Sequence, residues 1–385
     1  MKFKTALFIF ITVIAFLFNC GKSDKTYTIE IKDGVNYVHN KAPLWGDEQR
    51  ISLELVRQIG ELDTDDENLQ FYRLRDIAFD DEDNMYILDA GNYRVQKFDK
   101  EGNYILSFGR QGQGPGDLRS ARQLQFDSDG LLHVLDLGNN CVQVFTTDGK
   151  FFRMYSAKGF ANGFTLLNSG LIAGNGYLGG LQTRDRRVNL QDVEFPNLYI
   201  YDQKATIVRK IGKERKYEAR DMKALGNYSS VTFDDQDNLY LAFDNRNLIE
   251  KYTSNGKPLL KISREKGYRE ITNPERIREE IAGGIMADFS IINKFSGGIQ
   301  LDSKGRMWVL SYIRQLSADE RKMNGKKDAS DLVNFEVYDK EGILLTRIPI
   351  EFGISREFKR IYNDCIYFMD SRQEMAVYEY KIVEQ

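Results

Sequence analysis

The chain has 385 residues, 42% of them hydrophobic and 12% aromatic, with a formal net charge of −3. That balance gives no electrostatic drive toward nucleic acid, where binding rests on neutralised phosphates. The apolar fraction permits a sizeable core, and 24 Phe and 21 Tyr against 6 Pro suit strands.

Residues 1–20 stand apart from the fold. Lys2 and Lys4 make a basic start, residues 6–18 are an apolar run too short to span a bilayer comfortably, and Leu17-Phe18-Asn19-Cys20 follows. This pattern resembles the lipobox of bacterial lipoproteins, with Asn19 where a smaller residue is commoner. The resemblance implies a signal peptide over 1–20, lipidation of Cys20 and a place in the bacterial cell envelope, on the outer membrane or a periplasmic face. Residues 21–50 then read as a tether and a small hairpin, with alternating runs at 27–31 and 35–38 around Asp33-Gly34. Residues 51–59 read as a lone strand ending Gln58-Ile59-Gly60, like the later endings Ser107-Phe108-Gly109 and Lys210-Ile211-Gly212.

Residues 75–109 give the repeating unit. Asp83-Asn84 and Glu101-Gly102 are turn pairs between short apolar runs, because Asn and Gly accept the positive φ of tight hairpins. Four antiparallel strands follow, labelled a to d. One such meander is marginal in water, so copies must pack on one another. The end of strand a and its turn recur near Phe79, Phe126, Leu167, Phe233, Leu301 and Tyr362, at spacings of 47, 41, 66, 68 and 61. A propeller blade takes roughly 40–50 residues, so three blades carry insertions. The last repeat has runs at 358–361, 366–369 and 376–380 and then stops without a strand d. The lone strand at 51–59 supplies it, which closes a ring and removes two exposed edges. The predicted fold class is all-β: a six-bladed β-propeller over 51–385, closed by an N-terminal strand that completes the last blade.

Residues 86–99 (YILDAGNYRVQKFD) resemble the NHL repeat, and 109–118 (GRQGQGPGDL) resemble the linker that follows it. Residues 133–145 repeat the pattern with Cys141 in the place of Arg94. The N-terminal region is also similar to that of a group of bacterial exported six-bladed propeller lipoproteins. The resemblance covers nearly all of the mature chain and is most specific in blades one and two. It implies a fold and an address but no activity.

In a propeller, the b–c loops and the d-to-a linkers share one face, and the a–b and c–d turns share the other. Insertions at 177–196, 213–227, 265–294 and 312–332 therefore enlarge one face, where binding is expected. Within 265–294 a helix is predicted from Thr272 or Asn273 as cap, through Pro274 and 275–282, to Gly283-Gly284. The elaborated face collects cations, including Arg215, Lys216, Arg220, Lys322, Lys326 and Lys327, while the tight-turn face collects Asp. Candidate ligand contacts are Arg94, Arg110, Arg184, Arg186 and Arg187. In NHL-like blades Asp89, Asn92 and Arg94 would also tie neighbouring loops together. The expected partner is an envelope protein or glycan, with membrane contact through the lipid, no nucleic acid, and a monomeric chain.

Enzyme readings find less support. Some propellers of this kind are calcium-dependent lactonases and some NHL-type propellers are zinc lyases. Zinc favours His and Cys, and only His39 and His133 are available, away from the elaborated face; a Ser/His/Asp triad meets the same obstacle. No cofactor is called for, although a carboxylate-bound calcium ion stays open as the alternative, hydrolase-like reading. Asp127-Ser128-Asp129-Gly130 looks like part of a calcium loop but lacks its downstream Glu, so it reads as a turn. Cys141 and Cys365 are expected to be unpaired, small buried apolar residues.

Overall fold

The computed structural model describes residues 25–157, 160, 163–175, 196–213, 215–217, 226–281, 285–317, 320, 331–350, 356–371 and 374–385. The fold is a six-bladed β-propeller. Blade one holds strands Leu74–Phe79, Met85–Asp89, Arg94–Phe98 and Tyr104–Phe108, hydrogen-bonded in that order. Blade two holds Ala121–Phe126, Leu132–Asp136, Cys141–Phe145 and Phe151–Ser156; blade three holds Phe164–Leu166, Ile172–Asn175, Leu198–Tyr201 and Ile207–Ile211. Blades four and five are built from Ser229–Phe233, Leu239–Phe243, Ile249–Tyr252 and Pro258–Arg264, and from Ser296–Leu301, Met307–Tyr312, Val333–Tyr338 and Leu344–Pro349.

Blade six closes the ring as expected. Its strands Arg356–Tyr362, Cys365–Asp370 and Ala376–Glu384 take Ile51–Ile59 as the fourth, antiparallel from Val377↔Ile59 to Glu384↔Ile51. Among the described residues, six apolar clusters fill the six seams between neighbouring sheets. The seam between blades six and one joins Ile59, Tyr367, Met369 and Val377 to Ile77, Ile87 and Phe98. No blade buries both of its faces alone, so the ring is the cooperative unit.

The recurring glycine after strand d has a local cause. Gly60, Gly109 and Gly212 sit at φ of +105°, +91° and +71°, where an L side chain is strained. A Cβ at Gly60 would also lie 2.6 Å from the Phe71 ring.

The tight-turn aspartates are turn builders. Asp80, Asp127, Asp234 and Asp302 each accept two backbone N–H groups, from the second and fourth residues onward. In each case the second carboxylate oxygen meets a ring group six residues on: Tyr86, His133, Tyr240 or Trp308. His133 is thus a structural partner of Asp127, 2% exposed, and its other nitrogen pairs with Tyr155. The calcium-like stretch at Asp127 is one of these turns.

Two expectations need correction. The predicted helix over 272–282 is instead a hairpin of strands Arg276–Ile281 and Ile285–Ser290. A helix of so few residues is marginal, while Gly283-Gly284 is a hairpin turn signal between runs holding β-branched Ile277, Ile281 and Ile285. Cys141 and Cys365 are unpaired, but each is half-buried because each opens its strand.

The N-terminal hairpin has a place the sequence did not disclose. Strands Tyr27–Lys32 and Val35–Asn40 extend blade four to six strands, with Val35–Asn40 parallel to Pro258–Arg264. Buried Asn40 then reaches blade five: its Nδ2 donates to Gly342 O at 3.0 Å and its Oδ1 accepts from Leu344 N at 2.8 Å.

Candidate functional site

The strands nearest the axis each begin where a d-to-a linker ends, so their first residues lie toward the elaborated face. Four of these six strands carry a β-bulge near that end. The ladder skips Arg75 and Asp76 in blade one, Arg122 in blade two, Gly297 in blade five and Lys359 in blade six. A bulge frees a residue from pairing and re-aims its side chain, and bulges concentrate beside functional sites. Three of the four strands put a cation there.

The three cations and Asp76 line an axial cavity of about 670 Å³, within the usual size of ligand sites. Arg75, Arg122, Lys359 and Arg360 form a cationic arc from blades six, one and two. Two carboxylates share the arc and are already occupied. Glu357 pairs with Lys359 at 2.7 Å. Asp76 accepts Leu124 N at 2.9 Å; burial raises its pKa, while Arg360 and Lys359 pull it down. Arg75 and Arg122 make no salt bridge among the described residues. Burial and the facing Arg122 guanidinium lower the Arg75 pKa, with Glu357 opposing. The Nε of Arg360 is buried with no hydrogen-bond partner. The arc is therefore pre-charged for an anion.

The opposite wall is neutral. Tyr228 and Ser230 of blade four and Gln300 of blade five face the cavity. A smaller space of about 160 Å³ adjoins it, sharing Tyr228 and Ser230 and adding Thr165 of blade three. Gln123 lies between the two, but its amide is used to clamp Phe164 N and O, at 2.9 and 2.7 Å.

Of the candidate residues singled out from sequence, the two that are described, Arg94 and Arg110, lie elsewhere. Arg94 is tied down: its Nε donates to Asp89 at 2.8 Å and its Nη2 to the carbonyls of Glu67 and Gln70. Asn92 donates to the same carboxylate, so this trio holds the incoming linker to the b–c turn, as the NHL resemblance implied. Arg110 is exposed and paired with Asp117 inside its own linker at 2.7 Å. Cys20, Arg184, Arg186 and Arg187, like Arg220, Lys322, Lys326 and Lys327, lie outside the described residues. Arg215 is paired with Glu270. Among the described residues no group of three or more His, Cys, Asp or Glu is placed to hold a metal ion.

Sequence reasoning missed the arc although a signal was present. Leu74-Arg75-Asp76-Ile77 and Ala121-Arg122-Gln123-Leu124 occupy the same repeat position. Each places an arginine second in an inner strand, two residues ahead of the apolar Ile77 or Leu124.

The b strands show a related contrast. Asp89 and Asp136 end their strands and accept several N–H groups from turn and linker. Asp244 directly follows the same strand of blade four, yet its Oδ1 is buried and unpartnered. Burial raises its pKa to about 6, with Lys294 opposing. A carboxyl raised in the folded state stabilises below its unfolded value near 3.8, and that contribution is lost as pH rises through 6. Asp244→Asn is therefore expected to be more stable than the parent at pH 8, by on the order of 2 kcal/mol. Urea midpoints should converge by pH 4; a constant gap at both pH values would place the effect elsewhere.

A family model described as "6-bladed beta-propeller" matches residues 52–153. A search of curated proteins finds no match. Among solved structures, the chain is similar to a protein from Bacteroides fragilis whose name describes it as exported, with 12% identity and a TM-score of 0.57, covering 91% of this chain and 99% of that one. It is equally similar to a member of the DUF4221 family from Bacteroides vulgatus, at 12% identity and a TM-score of 0.57, covering 88% and 100%. A virginiamycin B lyase from Staphylococcus aureus overlaps at 13% identity and a TM-score of 0.45, covering 86% and 100%, a level that carries no argument about activity. At these identities the first two likenesses establish the fold alone.

Proposed function

We propose that this chain is an envelope-anchored binding propeller that recognises a protein or glycan through its loop-rich face, seating an anionic group of that ligand in the axial cavity. The observation that carries the reading is the convergence of Arg75, Arg122, Lys359 and Arg360 on one cavity, with two guanidiniums left uncompensated. The signal-like residues 1–18 and Cys20 support the envelope address and the lipid anchor. Arg184, Arg186 and Arg187, which the sequence pattern assigns to a b–c insertion, are proposed as outer contacts. The calcium-dependent hydrolase reading draws no support from the cavity, since calcium wants several oxygen ligands and Asp76 and Glu357 are engaged with other groups.

The test is binding of acidic glycans and acidic peptides to the wild type and to Arg122→Glu. Arg122 is exposed and outside the ladder, so reversal should leave the fold intact. A charge-assisted contact contributes about 1.5–3 kcal/mol, so affinity should fall at least about tenfold, and less at high salt. Equal affinity for both forms would overturn the reading.

A further inference from the structure

The cavity is asymmetric, and the asymmetry specifies more than charge. Resting on the anion-binding reading above, we infer that the ligand is a carboxylated saccharide, with a uronic-acid unit lying across the axis.

On one side stand Arg75 and Arg122, two guanidiniums free of salt bridges among the described residues. Each is a planar fork matched to one carboxylate. The arc also contains Asp76 and Glu357, so four cations face two carboxyl groups and leave a positive surplus for the carboxylate of a ligand. On the other side the wall holds no charge. Thr165 and Ser230 offer short hydroxyls, and Tyr228 offers an aromatic ring with a hydroxyl. Hydroxyls both donate and accept, which fits a ligand whose own groups do both. The strands that supply these hydroxyls, Phe164–Leu166 and Ser229–Phe233, pair without a bulge. A carboxylate and several hydroxyls on one small rigid body describe a sugar acid. An acidic peptide would match only the cationic half.

The experiment uses the full chain and calorimetry with four-unit uronic-acid oligosaccharides of galacturonate, mannuronate and glucuronate. Two controls separate the halves: the methyl esters, which keep the hydroxyls and lose the charge, and tetraglutamate, which keeps the charge and lacks the hydroxyls. At least one uronate is expected to bind at least tenfold more tightly than either control. Arg122→Gln should weaken that uronate at least tenfold. Ser230→Val and Thr165→Val should weaken the uronate about tenfold and leave tetraglutamate unchanged. Tetraglutamate binding as well as every uronate, with the two valine variants silent, would overturn the saccharide assignment and leave the anion-binding reading standing. Retention of none of the acids by the wild type would overturn both.

Discussion

Glu336→Leu is expected to destabilise the chain by about 3–5 kcal/mol, the cost of leaving buried charge without its partner. Glu336 is fully buried in strand c of blade five. Arg264 lies 3.3 Å from one of its oxygens, and Lys266 and Arg347 lie 3.1 and 3.3 Å from the other. Tyr338 donates to it at 2.9 Å. Burial pushes the Glu336 carboxyl up, but the three cations outweigh it and hold the group below the ordinary carboxylate range. Arg264 is fully buried and Lys266 nearly so, and both belong to the far end of blade four, so this cluster bolts two blades together. Burial already lowers Lys266 to about 8, against the pull of Glu336. Without Glu336 it should fall further. A lysine lowered on folding makes stability rise with pH between its folded and unfolded values, so the variant should recover part of its loss between pH 7 and 9. Urea unfolding at both pH values measures this. Replacing Glu336, Arg264 and Lys266 together by Leu, Met and Met should cost less than the single change, because the one cation left, Arg347, is 32% exposed and keeps contact with water. A triple variant worse than the single one would show that packing, not charge, sets the cost.

The second large effect concerns ring closure. A chain beginning at residue 51 should remain a monomeric disc, whereas one beginning at residue 60 should aggregate or unfold. The shorter chain lacks the partner of strand Ala376–Glu384 along its whole register. It also lacks Ile51 and Ile59, which are 1% and 5% exposed and contribute about 1.5–3 kcal/mol each. With the lost ladder, this approaches the whole stability of a typical domain, about 5–15 kcal/mol. Removing only 21–50 strips the hairpin from blade four and should give a smaller, separate loss. Gel filtration and urea midpoints of the three chains decide it; identical midpoints for the chains starting at 51 and 60 would mean that the disc holds without its closing strand.

Much of this architecture was legible because its signals are local. Turn pairs such as Asp83-Asn84, the glycine after strand d and the missing strand at each end all follow from backbone demands that one residue type meets best. The helix over 272–282 misled because Glu and Arg suit either state when exposed, and only pairing partners decide. The docking of the hairpin on blade four joins Asn36 to Leu260, contacts more than two hundred residues apart that no local pattern encodes. The cavity escaped for a similar reason. A bulge itself leaves no mark in a single sequence; the matched places of Arg75 and Arg122 in two repeats were the one faint signal, while Arg94 and Arg110 stood out in the best-patterned segments.

The bulged positions have one more consequence. Because Arg75, Arg122 and Lys359 contribute nothing to the ladder beside them, exchanging their side chains taxes folding little. Specificity can thus drift over evolutionary time on an unchanged disc, and a designer could retune what this propeller selects by rewriting three codons.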